Sequence, residues 1–157
     1  MTMCITARFL LVALIFVSCD IFAETSTITF APTPATKAVL RVGVHSVSFD
    51  VVDPKKGVHH GIIDVDTEKP IHVVIEDYSF DNRKGFSIWS VDEGMGVYTI
   101  HRVFLYSSGK STFVEGRPAC GDQFFNLKVD KKRKRLISTY YEENVAKLCI
   151  TRLEKAR

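Results

Sequence analysis

The densest set of side chains able to do chemistry runs over residues 76–85, EDYSFDNRKG. Counted from Asp77, the residues Asp77, Ser79 and Asp81 stand at positions 1, 3 and 5. This is the spacing by which one tight loop points oxygen ligands at a hard cation such as Ca2+. A complete calcium loop also takes an oxygen ligand near position 9 and a bidentate acid near position 12; here those positions hold Gly85 and Ile88. Asp92 and Glu93 lie too far along to substitute without a fold-back. Asp and Ser are also ordinary turn residues whose side chains bond their own backbone. The segment therefore reads as a Ca2+ site on Asp77, Ser79 and Asp81 or as a metal-free turn, and the turn is the stronger reading.

Five histidines, His45, His59, His60, His72 and His101, raise a transition-metal reading. His59 and His60 are adjacent, so in a strand they face opposite sides and cannot share an ion. No Cys/His spacing typical of zinc is present, and surface or turn histidines account for the set. Cys120, followed by Gly121 and Asp122, would stand on an open turn, but a thiolate nucleophile needs an activating base, and His101 is the nearest histidine in sequence, with none after it. No nucleophile elbow, phosphate loop or H-E-x-x-H helix occurs. Pairs such as Asp64 with Asp66 or Glu142 with Glu143 are what chance supplies in a chain with 18 acids. The expectation is a protein that binds rather than one that catalyses.

Two segments suit partner contact. Residues 94–98 (GMGVY) read as a flexible loop with an aromatic end, either a plain hairpin connection or a protruding loop that puts Gly94, Met95, Gly96 and Tyr98 into a partner's cleft. Residues 131–135 (KKRKR) are the one marked charge run. Lys131, Lys132 and Arg133 read as a solvated hairpin tip or as an electrostatic contact with an acidic partner protein or an anionic envelope surface.

The elements that must position these residues are strands. The chain has 157 residues, one domain's worth, with 46% hydrophobic and 25% charged side chains, a globular balance that excludes disorder and a multi-span membrane protein. A net charge of +3 is too mild to imply a nucleic-acid partner without a supporting motif. β-branched and aromatic runs recur at 47–51, 62–65, 71–75, 86–91, 97–106, 124–129, 136–141 and 148–153, separated by turn signals. No window beyond residue 39 sustains apolar residues at helical spacing, and residues 142–147 have room for a single turn only. The fold class is all-β: an antiparallel sandwich, barrel or propeller-like single domain over residues 39–157. Residues 24–38, rich in Thr, Ala and Pro, are a tether or an extended first strand.

Residues 1–23 read as an export signal: Arg8 in the n-region, an apolar run FLLVALIFV at 9–17, and Ala23 before the cleavage point. The apolar run is about half of the ~20 residues a membrane-spanning helix needs. Residues 16–19 (FVSC) are a loose lipobox that would make Cys19 a lipidated N-terminus, the alternative to cleavage after Ala23. With Cys4 and Cys19 in the signal, Cys120 and Cys149 remain in an oxidising compartment, where a disulfide is the default.

At Asp77-Tyr-Ser-Phe-Asp-Asn82, then Phe86-Ser-Ile88 and residues 98–106 (YTIHRVFLY), with Phe113 as a last aromatic, the chain resembles a family of exported β-proteins with a D-x-N-F-D-G-x-x-D motif. That family includes periplasmic immunity proteins that protect bacteria against peptidoglycan-degrading effectors of antibacterial secretion systems, and it is similar in fold to periplasmic lysozyme inhibitors. The resemblance covers roughly residues 71–153. It implies a periplasmic inhibitor that occludes the active site of a cell-wall-degrading effector or lysozyme-like enzyme. It also implies Ca2+ on Asp77, Ser79 and Asp81, with Ser79 standing for the family's Asn, Asn82 for its Gly and Gly85 for a later Asp. The other functional expectation is an envelope structural or adaptor protein, membrane-bound only if lipidated at Cys19. No nucleic acid is expected.

Overall fold

The computed structural model describes residues 25–94 and 96–156. Residues 1–23, read from sequence as an export signal with a lipobox reading at Cys19, and Met95 of the glycine loop lie outside the described residues.

Antiparallel strands build two sheets. β1 (Ser26–Thr33), β2 (Thr36–Val42), β3 (Ser46–Asp53) and β4 (Gly57–Asp64) follow one another in a four-stranded meander. β5 (His72–Glu76), β6 (Gly85–Val91), β7 (Thr99–Ser107), β8 (Thr112–Gly116), β9 (Phe124–Asp130), β10 (Arg135–Glu142) and β11 (Val145–Thr151) form a seven-stranded sheet in the order β11-β10-β9-β7-β6-β5. β7 is forked. Ile100 and His101 pair with β9, while Val103 to Ser107 pair with β8. Among sandwich, barrel and propeller, the arrangement is the sandwich.

Period-two alternation decides which faces meet. Ala38, Leu40 and Val42 of β2 and Val47, Phe49 and Val51 of β3 are buried, and they pack on Phe86, Ile88, Phe104, Tyr106 and Phe113 of the larger sheet. Phe113 is the hub, with ring centroids 4.8 Å from Phe86, 5.3 Å from Phe49 and 5.9 Å from both Phe30 and Tyr106. Val103, Leu105, Phe124 and Leu136 point to the opposite face of the larger sheet. There Tyr78 and Phe80 from the β5–β6 loop and Leu153 and Ala156 from the C-terminal tail cover them. The middle of the larger sheet is thus covered on both sides.

Polar ties fix the two sheets at their margins. Lys56 Nζ, in the β3–β4 turn, donates to the carbonyls of Ser108 and Gly109 at 2.7 and 2.8 Å, and Ser111 Oγ donates to Asp53 Oδ2 at 2.7 Å. Arg102 holds Glu115 with two bonds of 2.8 and 2.9 Å and reaches the Asp64 carbonyl at 2.7 Å. Cys120 and Cys149 form a disulfide, Cα atoms 5.8 Å apart, which fastens the β8–β9 loop to β11.

Residues 26–33 are strand, so the Thr-rich start joins the sheet as β1, and the boundary drawn at residue 38 falls inside β2. Pro32 sits at a β1 irregularity on the sheet edge, where a residue without an N–H is tolerated. The single turn over 142–147 is corrected to a hairpin. Glu143 and Asn144 have φ of 50° and 62°, the two left-handed residues of a tight β-turn, and β11 begins at Val145. β8 went unread as a strand because its only buried apolar residue is Phe113, too little for a visible alternation.

Candidate functional site

The registers sort the predicted site residues to two opposite ends of the larger sheet, about 25–30 Å apart at ~3.3 Å per residue of β7. Glu76↔Gly85 and Asp130↔Arg135 lie at one end, with the 77–84 loop and the 131–134 turn. Val91↔Thr99, Ile100↔Phe125 and Tyr141↔Ala146 lie at the other, with the 92–98 loop. Asp77, Ser79, Asp81, Lys131, Lys132 and Arg133 therefore share one end, and Gly94, Gly96 and Tyr98 occupy the other. They do not make one surface.

At the first end the acids are matched internally. Asp77 accepts the backbone N–H of Asp81 at 3.2 Å and of Asn82 at 2.7 Å. Ser79 Oγ donates to Asp81 Oδ1 at 2.9 Å, and the Arg83 guanidinium clamps Asp81 Oδ2 through Nε at 2.7 Å and Nη2 at 2.5 Å. Burial pushes the Asp81 carboxyl up, but the bonds from Arg83 and Ser79 outweigh it and hold it below the usual carboxylate range. Asn82, at φ 67°, takes the left-handed turn that Asn tolerates.

The second half of a calcium loop is absent for a steric reason. Gly85 is already in β6, and a Cβ there would lie 2.1 Å from the Phe104 carbonyl oxygen, so no ligand side chain can stand at that position. Ile88 is buried in the sandwich core. With Asp77 used by backbone N–H groups and Asp81 by Arg83, these residues as arranged do not fit a Ca2+ ion; they make a self-satisfied turn whose cation is a guanidinium. Among the described residues, no group of three His, Cys, Asp or Glu converges as a metal site.

The basic turn is part of the same network. Lys131 Nζ pairs with Glu76 Oε2 at 2.6 Å, and Asp130 receives Arg135 Nε at 3.0 Å and Arg133 Nη1 at 3.4 Å. Burial raises Glu76, and the Lys131 bond together with the Asp77 N–H overrides it, leaving the carboxyl low. Two carboxylates, Glu76 and Asp130, thus hold three of the five KKRKR cations. Lys132 and Lys134 are exposed.

The second end is organised around Asp92 and three rings. Asp92 N–H donates to the Tyr98 carbonyl at 2.9 Å, and Tyr98 N–H returns a bond to Asp92 Oδ1 at 2.8 Å, closing the 92–98 loop at its base. The Tyr98 N–H, aided by those of Gly96, Val97 and Gly94, holds the Asp92 carboxyl below its ordinary range. Tyr98 packs edge-on against Tyr141 at 5.7 Å and Phe125 at 6.4 Å, and Phe125 lies 6.5 Å from Tyr141. Val97, next to Tyr98, is 61% exposed. Beside the rings, Thr99, Asn126, Lys128, Ile137, Thr139 and Leu148 border a groove of about 650 Å³, opened where β9 bulges at Asn126 (φ 51°).

Sequence reading missed the partners of Tyr98. Phe125 and Tyr141 look like ordinary strand residues, and only the register places them beside the loop. The adjacent strands also place His72, Trp89 and His101 in one row, with Trp89 stacked 4.1 Å from His72 and 5.8 Å from His101. His59 faces the inter-sheet side while His60 pairs with Asp50 at 2.5 Å on the outer face, so the two diverge as adjacent strand residues must. Comparison of the chain with family models, curated proteins and solved structures finds no match.

Proposed function

We propose that this chain is an exported, non-catalytic inhibitor of immunity type that binds a cell-wall-degrading enzyme in the periplasm and blocks its active-site cleft through the 92–98 loop and the adjoining rings. The observation that carries this reading is the bracing of that loop. A glycine-containing segment is closed at its base by Asp92 and propped by Tyr98 against Phe125 and Tyr141, on a sheet stapled by Cys120–Cys149. A loop whose two ends are fixed before contact loses less conformational freedom on binding, which is the advantage of a preorganised inhibitor. The export signal and the family resemblance supply the compartment and the class of partner.

The test is inhibition of endogenous and neighbouring lytic enzymes, together with lysis protection in cells lacking the gene. Wild-type protein is expected to protect. Val97→Asp, at an exposed side chain beside Tyr98, is expected to bind the enzyme at least ~10-fold more weakly, about 1.4 kcal/mol, with an unchanged unfolding midpoint. Survival of deletion cells under every such enzyme, or full inhibition by Val97→Asp, refutes the reading.

A further inference from the structure

Lys128, Ile137 and Ile150 stand opposite one another across β9, β10 and β11, and so do Phe125, Thr139 and Leu148, with Tyr141 and Ala146 beyond. Ile137, Thr139 and Tyr141 are two residues apart along β10, so all of these share one face. It is the face that, over β5 to β8, meets the smaller sheet; the sandwich core takes no residue from β9, β10 or β11. The groove of about 650 Å³ lies here, within the roughly 300–1,000 Å³ of small-molecule sites. It opens where Asn126 and Leu127 stand opposite Ser138 alone.

The polar groups left over in this groove include two donors. The Thr99 N–H fixes which half of the Asn126 amide it meets: Oδ1 accepts it at 3.1 Å, and the NH2 half is left without an acceptor among the described residues. The Lys128 ammonium has no partner among them either, and of the described residues lining the groove it is the one charged side chain. Asp130, two residues on, is already taken by Arg133 and Arg135. Away from Lys128 the groove turns apolar, with Ile137 and the 75% exposed Leu148 leading toward Phe125 and Tyr141.

We infer that this groove binds a single-chain anionic amphiphile, a fatty-acid-like carboxylate, with its head on Lys128 and Asn126 and its chain running past Ile137 and Leu148 toward the rings. Charge complementarity selects the head, since a cationic one would leave both donors unanswered and set like charges together. The floor selects the chain. β10 is paired on both sides, so its backbone offers a peptide few free groups, and a body without hydrogen-bonding groups of its own forfeits nothing there. From the Ile137 pair to the Tyr141 pair is about 13 Å at ~3.3 Å per residue, the reach of a decanoate chain. The site requires no enzyme partner and does not rest on the inhibitor reading.

The experiment is isothermal titration of the purified, disulfide-formed protein with monomeric decanoate, combined with amide chemical-shift mapping. Saturable one-to-one binding is expected, with shifts centred on Asn126, Lys128, Ile137, Thr139 and Leu148. Octanoate is expected to bind roughly 10-fold more weakly, the worth of two buried CH2 groups. Lys128 is exposed, so Lys128→Glu should keep the unfolding midpoint while weakening decanoate at least ~10-fold, and Lys128→Arg should retain binding. Absence of saturable binding, equal affinity for decyltrimethylammonium, indifference to Lys128→Glu, or shifts centred elsewhere overturns the inference. Binding only to phosphatidylglycerol vesicles overturns it too, since the face would then dock on a membrane. No lytic enzyme enters these measurements, so their failure and a failure of lysis protection are told apart.

Discussion

At one end of the larger sheet Glu76, Asp81 and Asp130 are matched to Lys131, to Arg83 and to Arg133 with Arg135, while at the other Tyr98, Phe125 and Tyr141 pack ring on ring around a loop that uses its single inner carboxylate, Asp92, on itself. At the ionic end each of these acids is matched to a cation, while Lys132 and Lys134 stay exposed. A partner approaching the matched groups would have to replace existing pairs, which costs desolvation for modest gain. The aromatic end offers apolar edges, an exposed Val97 and a bulge-opened groove, the surface type that gains most from being covered. Sequence reading placed binding at both ends because the charge run is conspicuous and the ring cluster is not; the fold reverses that weighting.

The largest expected effect comes from the staple that sets the aromatic half apart. The Cys120–Cys149 link closes a 29-residue separation, and its removal by Cys→Ser at both positions should cost about 3–4 kcal/mol in the chain-entropy account. Urea unfolding with and without reductant measures it. Hydrogen exchange should rise first in residues 117–123 and in β11, with the 77–84 loop holding its protection. Uniform loosening of both ends would break the contrast and make the sheet a single cooperative unit.

A smaller effect is expected at the ionic end. Arg83→Met leaves Asp81, whose side chain is 4% exposed, without its cation, and should destabilise by about 2–3 kcal/mol, since breaking a largely buried pair strands the remaining charge. The sign with pH follows from the low Asp81 carboxyl. Its stabilisation is present above the unfolded value near 3.8 and is lost as pH falls through the still lower folded value. Wild-type protein should therefore lose stability in acid more steeply than Arg83→Met. Enzyme inhibition should be untouched, because the pair lies at the far end from the 92–98 loop.

Much of this architecture was legible because strands announce themselves by alternation. Val47, Phe49 and Val51 against Ser46, Ser48 and Asp50 already state which side of β3 is buried. The pairing of Cys120 with Cys149 followed from compartment and count. The candidate sites were legible only as local chemistry. Asp77, Ser79 and Asp81 carry calcium-loop spacing, but their use depends on Arg83 and on the Phe104 carbonyl against Gly85, the latter 19 residues away in sequence and adjacent only through the β6–β7 register. Tyr98 meets Phe125 and Tyr141 across β7, β9 and β10, and no spacing in the sequence encodes that meeting because the β7 fork and the β9 bulge decide it. Long-range register was the missing quantity in both cases.

The remaining contrast lies in how the two ends respond to protons. His101 stands on β7 near the aromatic end, stacked on Trp89, with Nε2 3.0 Å from Thr99 Oγ1 and Nδ1 buried without a partner. Burial pushes its pKa down from 6.5 to about 4. The unfolded chain then takes up a proton between pH 6.5 and about 4 that the folded chain refuses, so stability falls as pH drops through that window and the contribution is complete only above it. Allowing for the partial exposure of the ring, the loss is about 2 kcal/mol. His101→Gln, which cannot titrate there, should flatten the stability–pH curve between those limits. The ionic end loses its own contribution as pH falls below the ordinary carboxylate range through the lower values at which Asp81 and Glu76 are held, so the two ends should weaken in different pH ranges. Acid unfolding followed at Trp89 by fluorescence and at the 77–84 loop by hydrogen exchange resolves the order, and simultaneous loss at both probes would show that the chemical difference between the ends does not extend to their stability.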